Sequence, residues 1–360
     1  MLFIKKTLNI LMDKKDLRSF SKAELTEIIS QFNEKAFRAN QVYQWLWKHF
    51  VFSFDAMKNI PKPLLNALKD SYSLTVCEVL KTIESEDETI KVAFKLFDDL
   101  IIEGVIIPAP FRLTACISTQ VGCPINCGFC ATGKMGFKRN LTTAEIYAHF
   151  FLLNDMSLNK FGKPITNIVI MGMGEPLLNY DNVIRFTNLI NSEEGLNFSS
   201  RRITLSTVGI PEAIKRLADD NVKFKLALSL HATTNEKRDK IIPFNIHNNI
   251  EAVMDALQYF YKKNKNIITL EYLLLKNIND SRTDALQLAA LCRKVPSKVN
   301  IIEFNSFEGS VYEKSDDVMI NNFCRILEEQ GINCTLRKSK GSAINAACGQ
   351  LSNKQGNKND

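Results

Sequence analysis

Cys123, Cys127 and Cys130 stand in the run Val121-Gly-Cys-Pro-Ile-Asn-Cys-Gly-Phe-Cys130, a C-x3-C-x2-C spacing. Three thiolates this close can bind three irons of a [4Fe–4S] cube and leave the fourth iron open to a substrate. A ferredoxin-type cluster would need a fourth cysteine nearby, and the next one downstream is Cys292. The spacing therefore points to a catalytic cluster rather than a relay for electrons. A zinc site would want four ligands, commonly as two C-x2-C pairs, and one such pair is present. Inert packing fits poorly, because Gly122, Pro124 and Gly128 make a loop that exposes thiols instead of burying them.

Other polar residues fall where strands are expected to end. Met171-Gly-Met-Gly-Glu-Pro176 offers a close backbone approach at Gly174 and a carboxylate, Glu175, able to grip an ammonium or hydroxyl group. It lacks the third glycine of a dinucleotide fingerprint, and a plain tight turn is the alternative. Ser206, the Ser229-Leu230-His231 run and Asn305 close three further strands. Polar groups at successive strand tops would ring one cavity. His231 could equally be a satisfied structural histidine.

Glu103 lies in an apolar strand pattern on the side of Ile101, Val105 and Ile107. Burial would raise its pKa toward that of a useful base. By residue pattern alone, an edge-strand charge that discourages aggregation is the favoured reading. Two cysteines lie outside the triad with no partner in sequence, Cys116 in the first strand and Cys348 in Ala346-Ala-Cys-Gly-Gln350. An exposed, mobile thiol is the better nucleophile, which favours Cys348. Cys77, Cys292, Cys324 and Cys334 read as packing.

The elements that must position these groups change character along the chain. Residues 15–85 read as helical, with a capping box at Ser21–Glu24 and both tryptophans in Phe37–Trp47. Thr89–Leu96 and Leu100–Ile107 read as a hairpin turning at Asp98-Asp99. Strands then alternate with helices: Leu113–Thr119, Thr166–Met171, Arg202–Thr207, Phe224–Leu230, Ile268–Leu275 and Val299–Phe304. One separating helix, Thr142–Leu153, opens with the capping box Thr142–Glu145. Six parallel strands predict an α/β fold, an open (β/α)6 barrel whose chemistry gathers at the carboxyl ends of its strands. The expected division is a helical accessory domain over 1–88, a β-hairpin connection over 89–108, the barrel over 109–351 and a disordered tail over 352–360.

The 360 residues are 45% hydrophobic, enough for a large core. Nine cysteines with no recognisable signal peptide predict a reducing compartment. Met1–Leu11 is too short and too charged for a secretory or membrane segment. A cytoplasmic location is expected. Lys and Arg number 46 against 39 Asp and Glu, a net charge of +7. Basic clusters at Lys134–Lys138–Arg139, Arg201–Arg202, Lys237–Arg238–Lys240 and Arg337–Lys338–Lys340 are individually solvated faces. Together, around one site, they suit a polyanion such as RNA.

Taken together, these motifs resemble the radical S-adenosylmethionine superfamily and, within it, the RlmN family of adenine-C2 RNA methyltransferases. The resemblance spans Phe37–Leu46, Glu103–Pro108, Ser118–Cys130, Gly172–Leu177, Arg202–Gly209, Ser229–Ala232, Asn300–Asn305 and Ala346–Leu351. It departs at Lys340-Gly-Ser-Ala-Ile344, where the family has an R-G-x-D-I type run, at Asn345, where an acid is common, and at Asp98-Asp99, where D-G is usual. It implies a [4Fe–4S] cluster on Cys123, Cys127 and Cys130. It implies two S-adenosylmethionine molecules per turnover, with Gly174, Glu175, Ser206, Ser229, Leu230, His231 and Asn305 around the one that binds iron. Cys348 would carry the methyl group, Glu103 would accept the C2 proton, and Cys116 would resolve the adduct through a transient disulfide with Cys348. The implied partners are 23S rRNA and tRNA, an electron donor such as flavodoxin and a thiol reductant, for a monomer that needs no membrane. Adenine-C8 methylation, a radical enzyme that activates a partner protein and a non-catalytic metal-binding RNA protein are the alternatives.

Overall fold

The computed structural model describes residues 14–74 and 77–352; Met1–Leu11 and the expected tail beyond Ser352 lie outside them. Three helices come first: α1 (Lys22–Gln31), α2 (Phe37–Trp47) and α3 (Lys62–Ser71). The Ser21 hydroxyl and the Glu24 carboxylate cap α1 reciprocally, as its sequence predicts.

Four antiparallel strands follow: β1 (Glu78–Glu84), β2 (Ile90–Lys95), β3 (Ile101–Ala109) and β4 (Arg112–Cys116). The helical reading of 15–85 is thus corrected over Glu78–Glu84. That segment is almost wholly exposed, so it carries no apolar periodicity; pairing with β2 decides its conformation.

Beyond β4 the chain makes β5 (Gln120–Gly122), a short α4 (Ala131–Lys134) and β6 (Phe137–Asn140). Helix α5 (Thr143–Phe161) starts at the Thr142–Glu145 box and runs two turns past the expected end, to a left-handed Gly162. Then come β7 (Asn167–Ile170), α6 (Tyr180–Asn191), β8 (Ile203–Thr207), α7 (Pro211–Asp219), β9 (Lys225–Ser229), α8 (Asn235–Ile241) and α9 (Ile250–Asn264). The chain continues through β10 (Ile268–Leu274), α10 (Arg282–Cys292), β11 (Ser297–Glu303), α11 (Asp317–Glu329) and β12 (Cys334–Arg337).

One sheet takes the order β1-β2-β3-β4-β7-β8-β9-β10-β11-β12. From β4 onward every neighbour is parallel. All seven residues of β10 are buried, as befits a strand covered on both faces. The six expected parallel strands are present, and a seventh, β12, joins them. Its four residues, Cys-Thr-Leu-Arg, are too few to show a period, and only pairing with β11 defines them. The edge strands β1 and β12 do not pair among the described residues, so the barrel stays open.

The N-terminal helices seat on α5 through aromatic contacts. Trp47 is fully buried, its carbonyl accepts from Tyr147 Oη at 2.5 Å, and Phe50 stacks on the Tyr147 ring. No helix among the described residues is long and apolar enough to cross a membrane.

Candidate active site

A cavity opens at the carboxyl ends of the parallel strands. Cys123, Cys127 and Cys130 form part of its wall, contributed by the loop between β5 and α4. Burial pushes all three thiols up, to about 12 for Cys123, and the Cys130 and Cys123 sulfurs add to the rise at Cys127. Three crowded thiolates are unfavourable by themselves and call for a cationic group to hold them. Among the described residues no three His, Cys, Asp or Glu side chains are arranged to hold a single ion; in a cube each thiolate binds a different iron. The donor set therefore fits a [4Fe–4S] cluster.

Gly174, Glu175, Ser206, Ser229 and His231 line the same cavity. Gly174 has φ +101°, and a Cβ there would fall 2.5 Å from Gln120 Cβ, so this position admits only glycine. The turn aims Glu175 inward. Its Oε1 accepts from Leu177 N at 3.0 Å and its Oε2 from Val208 N at 2.8 Å. Burial still raises its carboxyl to about 7. A buried carboxylate so poorly compensated favours a bound ammonium.

The Ser206 and Ser229 hydroxyls hydrogen-bond at 3.1 Å. His231 adopts a left-handed φ of 56°, and its Nδ1 accepts from Leu273 N at 3.0 Å. Burial drops its pKa to about 3. The ring is therefore neutral and carries its hydrogen on Nε2. Two expected members of the ring stand off the wall. Leu230 is buried, with its amide on Glu271 O at 3.0 Å, and Asn305 donates to Glu303 O at 3.3 Å beside Phe304.

A second cavity, about 1200 Å3, shares Met171, Gly172, Cys130, Arg337, Cys348 and Gly349 with the first. Cys116 lies in its wall, and Arg112, Lys338 and Lys340 add positive charge. Cys348 stands on the partition between the two. It is exposed, yet the surrounding walls push its thiol up, an effect that Arg337 partly offsets. Burial raises Cys116 to about 12. The two are free thiols.

The Cys348 segment is anchored rather than mobile. Ala131 N donates to Gly349 O at 2.7 Å, Thr132 Oγ1 to Leu351 O at 2.6 Å, and Gln350 Nε2 to Ser306 O at 2.9 Å. Gly341 N reaches Asp87 Oδ2 at 3.0 Å, and Lys340 Nζ reaches Pro108 O at 2.6 Å. These bonds hold the loop even though its approach, Lys340–Ile344, departs from the family pattern.

Glu103 sits on β3, between β2 and β4, which overturns the edge-strand reading. Strand registers place it on one face with Lys91 and Cys116, since Val105 opposes both of those residues. It pairs with Lys91 at 2.9 Å and accepts from Ser352 N at 2.8 Å. Burial raises its carboxyl despite Lys91. It is not among the residues lining either cavity; the segment ending in Leu351 and Ser352 covers it.

Three contributors escaped sequence reasoning. Arg238, counted above in a basic cluster, is fully buried. Its Nε and Nη2 donate to the Leu230 and Ser229 carbonyls at 3.0 and 3.1 Å, and Nη2 also reaches Val208 O; it ties the ends of β8 and β9 together. Lys237 beside it pairs with Asp284 at 2.7 Å, and Arg139 pairs with Asp98 and Glu145 at 2.6 and 2.8 Å. Those clusters are therefore partly internal structure. The other two are Glu271 on β10, bound by Asn300 Nδ2 at 2.9 Å, and Arg337 on β12, 3.6 Å from Glu271. A charge on an otherwise apolar strand was the available signal for Glu271.

Comparison with known proteins supplies the remaining findings. The family model described as Radical SAM superfamily matches residues 117–289. The model described as Ribosomal RNA large subunit methyltransferase N-terminal domain matches residues 15–74. A protein of Christiangramia forsetii named "Probable dual-specificity RNA methyltransferase RlmN" is 46% identical, over 95% of this chain and 97% of its own length. One of the same name from Thermotoga maritima is 42% identical over 94% and 97%. The crystal structure of a radical SAM methyltransferase from Sphaerobacter thermophilus superposes with a TM-score of 0.88 at 37% identity, covering 94% of this chain and 99% of that one.

Proposed function

The chain belongs to the RlmN family of radical S-adenosylmethionine RNA methyltransferases, and from that premise we propose that it methylates C2 of adenine in 23S rRNA and tRNA through Cys348. The observation that carries this reading is the place of Cys348 on the partition between two cavities. Cys123, Cys127 and the strand-end ring lie on one side, Cys116 with a basic rim lies on the other, and Cys130 borders both. A single sulfur can there receive a methyl group from one chamber and deliver it in the other.

Cys123, Cys127 and Cys130 would hold the cluster, and Glu175 would take the ammonium of S-adenosylmethionine, flanked by Ser206, Ser229 and neutral His231. Bound there, these groups supply the methyl carbon and the one-electron chemistry needed at C2, which lies between two ring nitrogens and is too electron-poor to act as a nucleophile. Arg112, Lys338 and Lys340 would meet the RNA backbone while a base turned out of its stack enters the second cavity.

Once the carbon on Cys348 is joined to C2 and the unpaired electron of the adduct has returned to the cluster that the triad would hold, Glu103 accepts the C2 proton after the Ser352 amide gives way. The Cys116 thiol gives up its proton to solvent, and its sulfur attacks the Cys348 sulfur. An S–S bond forms as the S–C bond breaks, and the electron pair leaves with the carbon, which takes up a proton to become methyl. Two electrons from a thiol reductant reopen the disulfide, and a donor such as flavodoxin serves the cluster. We place this work in the cytoplasm, with the protein as a monomer.

Replacing Cys348 by Ala should abolish RNA methylation while leaving iron content and reductive cleavage of S-adenosylmethionine intact. Nucleoside mass spectrometry with NMR reads the outcome. Retained methylation removes the Cys348 route, and a C8 product replaces the C2 assignment.

A further inference from the structure

Burying two charges is unfavourable unless each gains partners beyond the other. Lys91 and Glu103 are 9% and 4% exposed, and each has a second partner in the segment that carries Cys348. Lys91 Nζ donates to the Asn345 carbonyl at 3.2 Å, three residues before the thiol. Ser352 N donates to Glu103 Oε2 at 2.8 Å, four residues after it. One charge pair on β2 and β3 thus brackets Cys348 on both sides. The remaining anchors nearest the thiol are Ala131 on Gly349 and Thr132 on Leu351, from the start of α4, and Gln350 on Ser306, beyond β11. The thiol segment is therefore held at both ends by a buried ion pair and between them by α4 and Ser306.

We propose that Lys91 is a positioning residue. Through Glu103 and the Asn345 carbonyl it clasps the Cys348 segment, so that the methyl-carrying sulfur and the proton acceptor are held in register by one charge pair. The role of Glu103 in this statement rests on the reading given above; the clasp itself does not. Lysine suits the task because its ammonium has three donors on a flexible stem and can serve a carboxylate and a carbonyl at once. Methionine would fill the same volume with no donor.

The test uses the reconstituted full-length holoenzyme. Lys91→Met should raise amide hydrogen exchange across Asn345–Ser352 about tenfold, the factor expected when a hydrogen bond to a charged group is lost. Exchange elsewhere in the barrel should stay unchanged. More 5′-deoxyadenosine should form per methyl group transferred, because cleavage continues while delivery fails. Lys91→Arg should restore both readouts in large part. Should Lys91→Met not fold, Ser352→Pro removes one donor from the surface end of the clasp and should raise exchange over Gly349–Leu351 by itself. Unchanged exchange in the folded variants overturns the proposal, whatever happens to methylation. If exchange responds but the wild-type protein leaves adenine unmethylated, the clasp stands and the reading of Glu103 falls.

Discussion

The cysteine triad of the first cavity comes from the eight residues Cys123–Cys130, whereas Cys116 in the wall of the second and Cys348, which lines both, come from a strand and a loop far apart in the chain. Neighbours in sequence cannot drift far apart, so the triad is preassembled by its own loop. The second group meets only through strand register and the bonds that lace residues 340–352 to the hairpin and the cluster loop. Damage to the first should therefore stop everything, and damage to the second should stop delivery alone.

The largest effect should come from Cys127→Ala. Iron retention, reductive cleavage and methylation should all vanish, as read by iron analysis and product assays under anaerobic conditions. A variant that keeps its iron but loses methylation would erase the distinction between the chambers.

Cys116→Ala should be narrower. Iron content and cleavage should persist while turnover falls about 100-fold or more, and the RNA should remain covalently joined to Cys348 on a denaturing gel. Free methylated product from this variant would show that resolution does not run through the second cavity.

The smallest effect concerns pH in the first cavity. Burial holds the Glu175 carboxyl at about 7, above its ordinary value of 4.5. With Glu175 proposed to take the ligand ammonium, a proton would compete with it, and S-adenosylmethionine affinity should fall roughly fivefold between pH 7 and pH 6. The sign for stability is opposite. Because the folded value is raised, this group's contribution to the ligand-free protein is fully present below about 4.5 and is lost as pH rises through about 7. Equilibrium binding and thermal melts across that range check both. A flat binding profile would remove Glu175 from the ammonium site.

Where the sequence failed, a specific cause can be named. The exposed β1 and the four-residue β12 carry no period of their own, and each is defined by its neighbour. Glu103 read as an edge charge because one strand does not reveal what pairs on its other side. Arg238 and Arg139 read as surface charge because a basic run looks alike on a solvated face and at a strand junction.

The sequence by itself determined the cluster loop, the α/β alternation, the capped starts of α1 and α5 and the chemical types at the strand ends. These are set over a few residues by covalent proximity, side-chain period and hydrogen bonds to adjacent backbone. Tertiary structure decided that Cys348 faces both cavities, that Glu103 is buried against Lys91 and that Arg337 lies beside Glu271. Such placements depend on pairing between segments remote in the chain, where a shift of one residue turns every side chain to the opposite face.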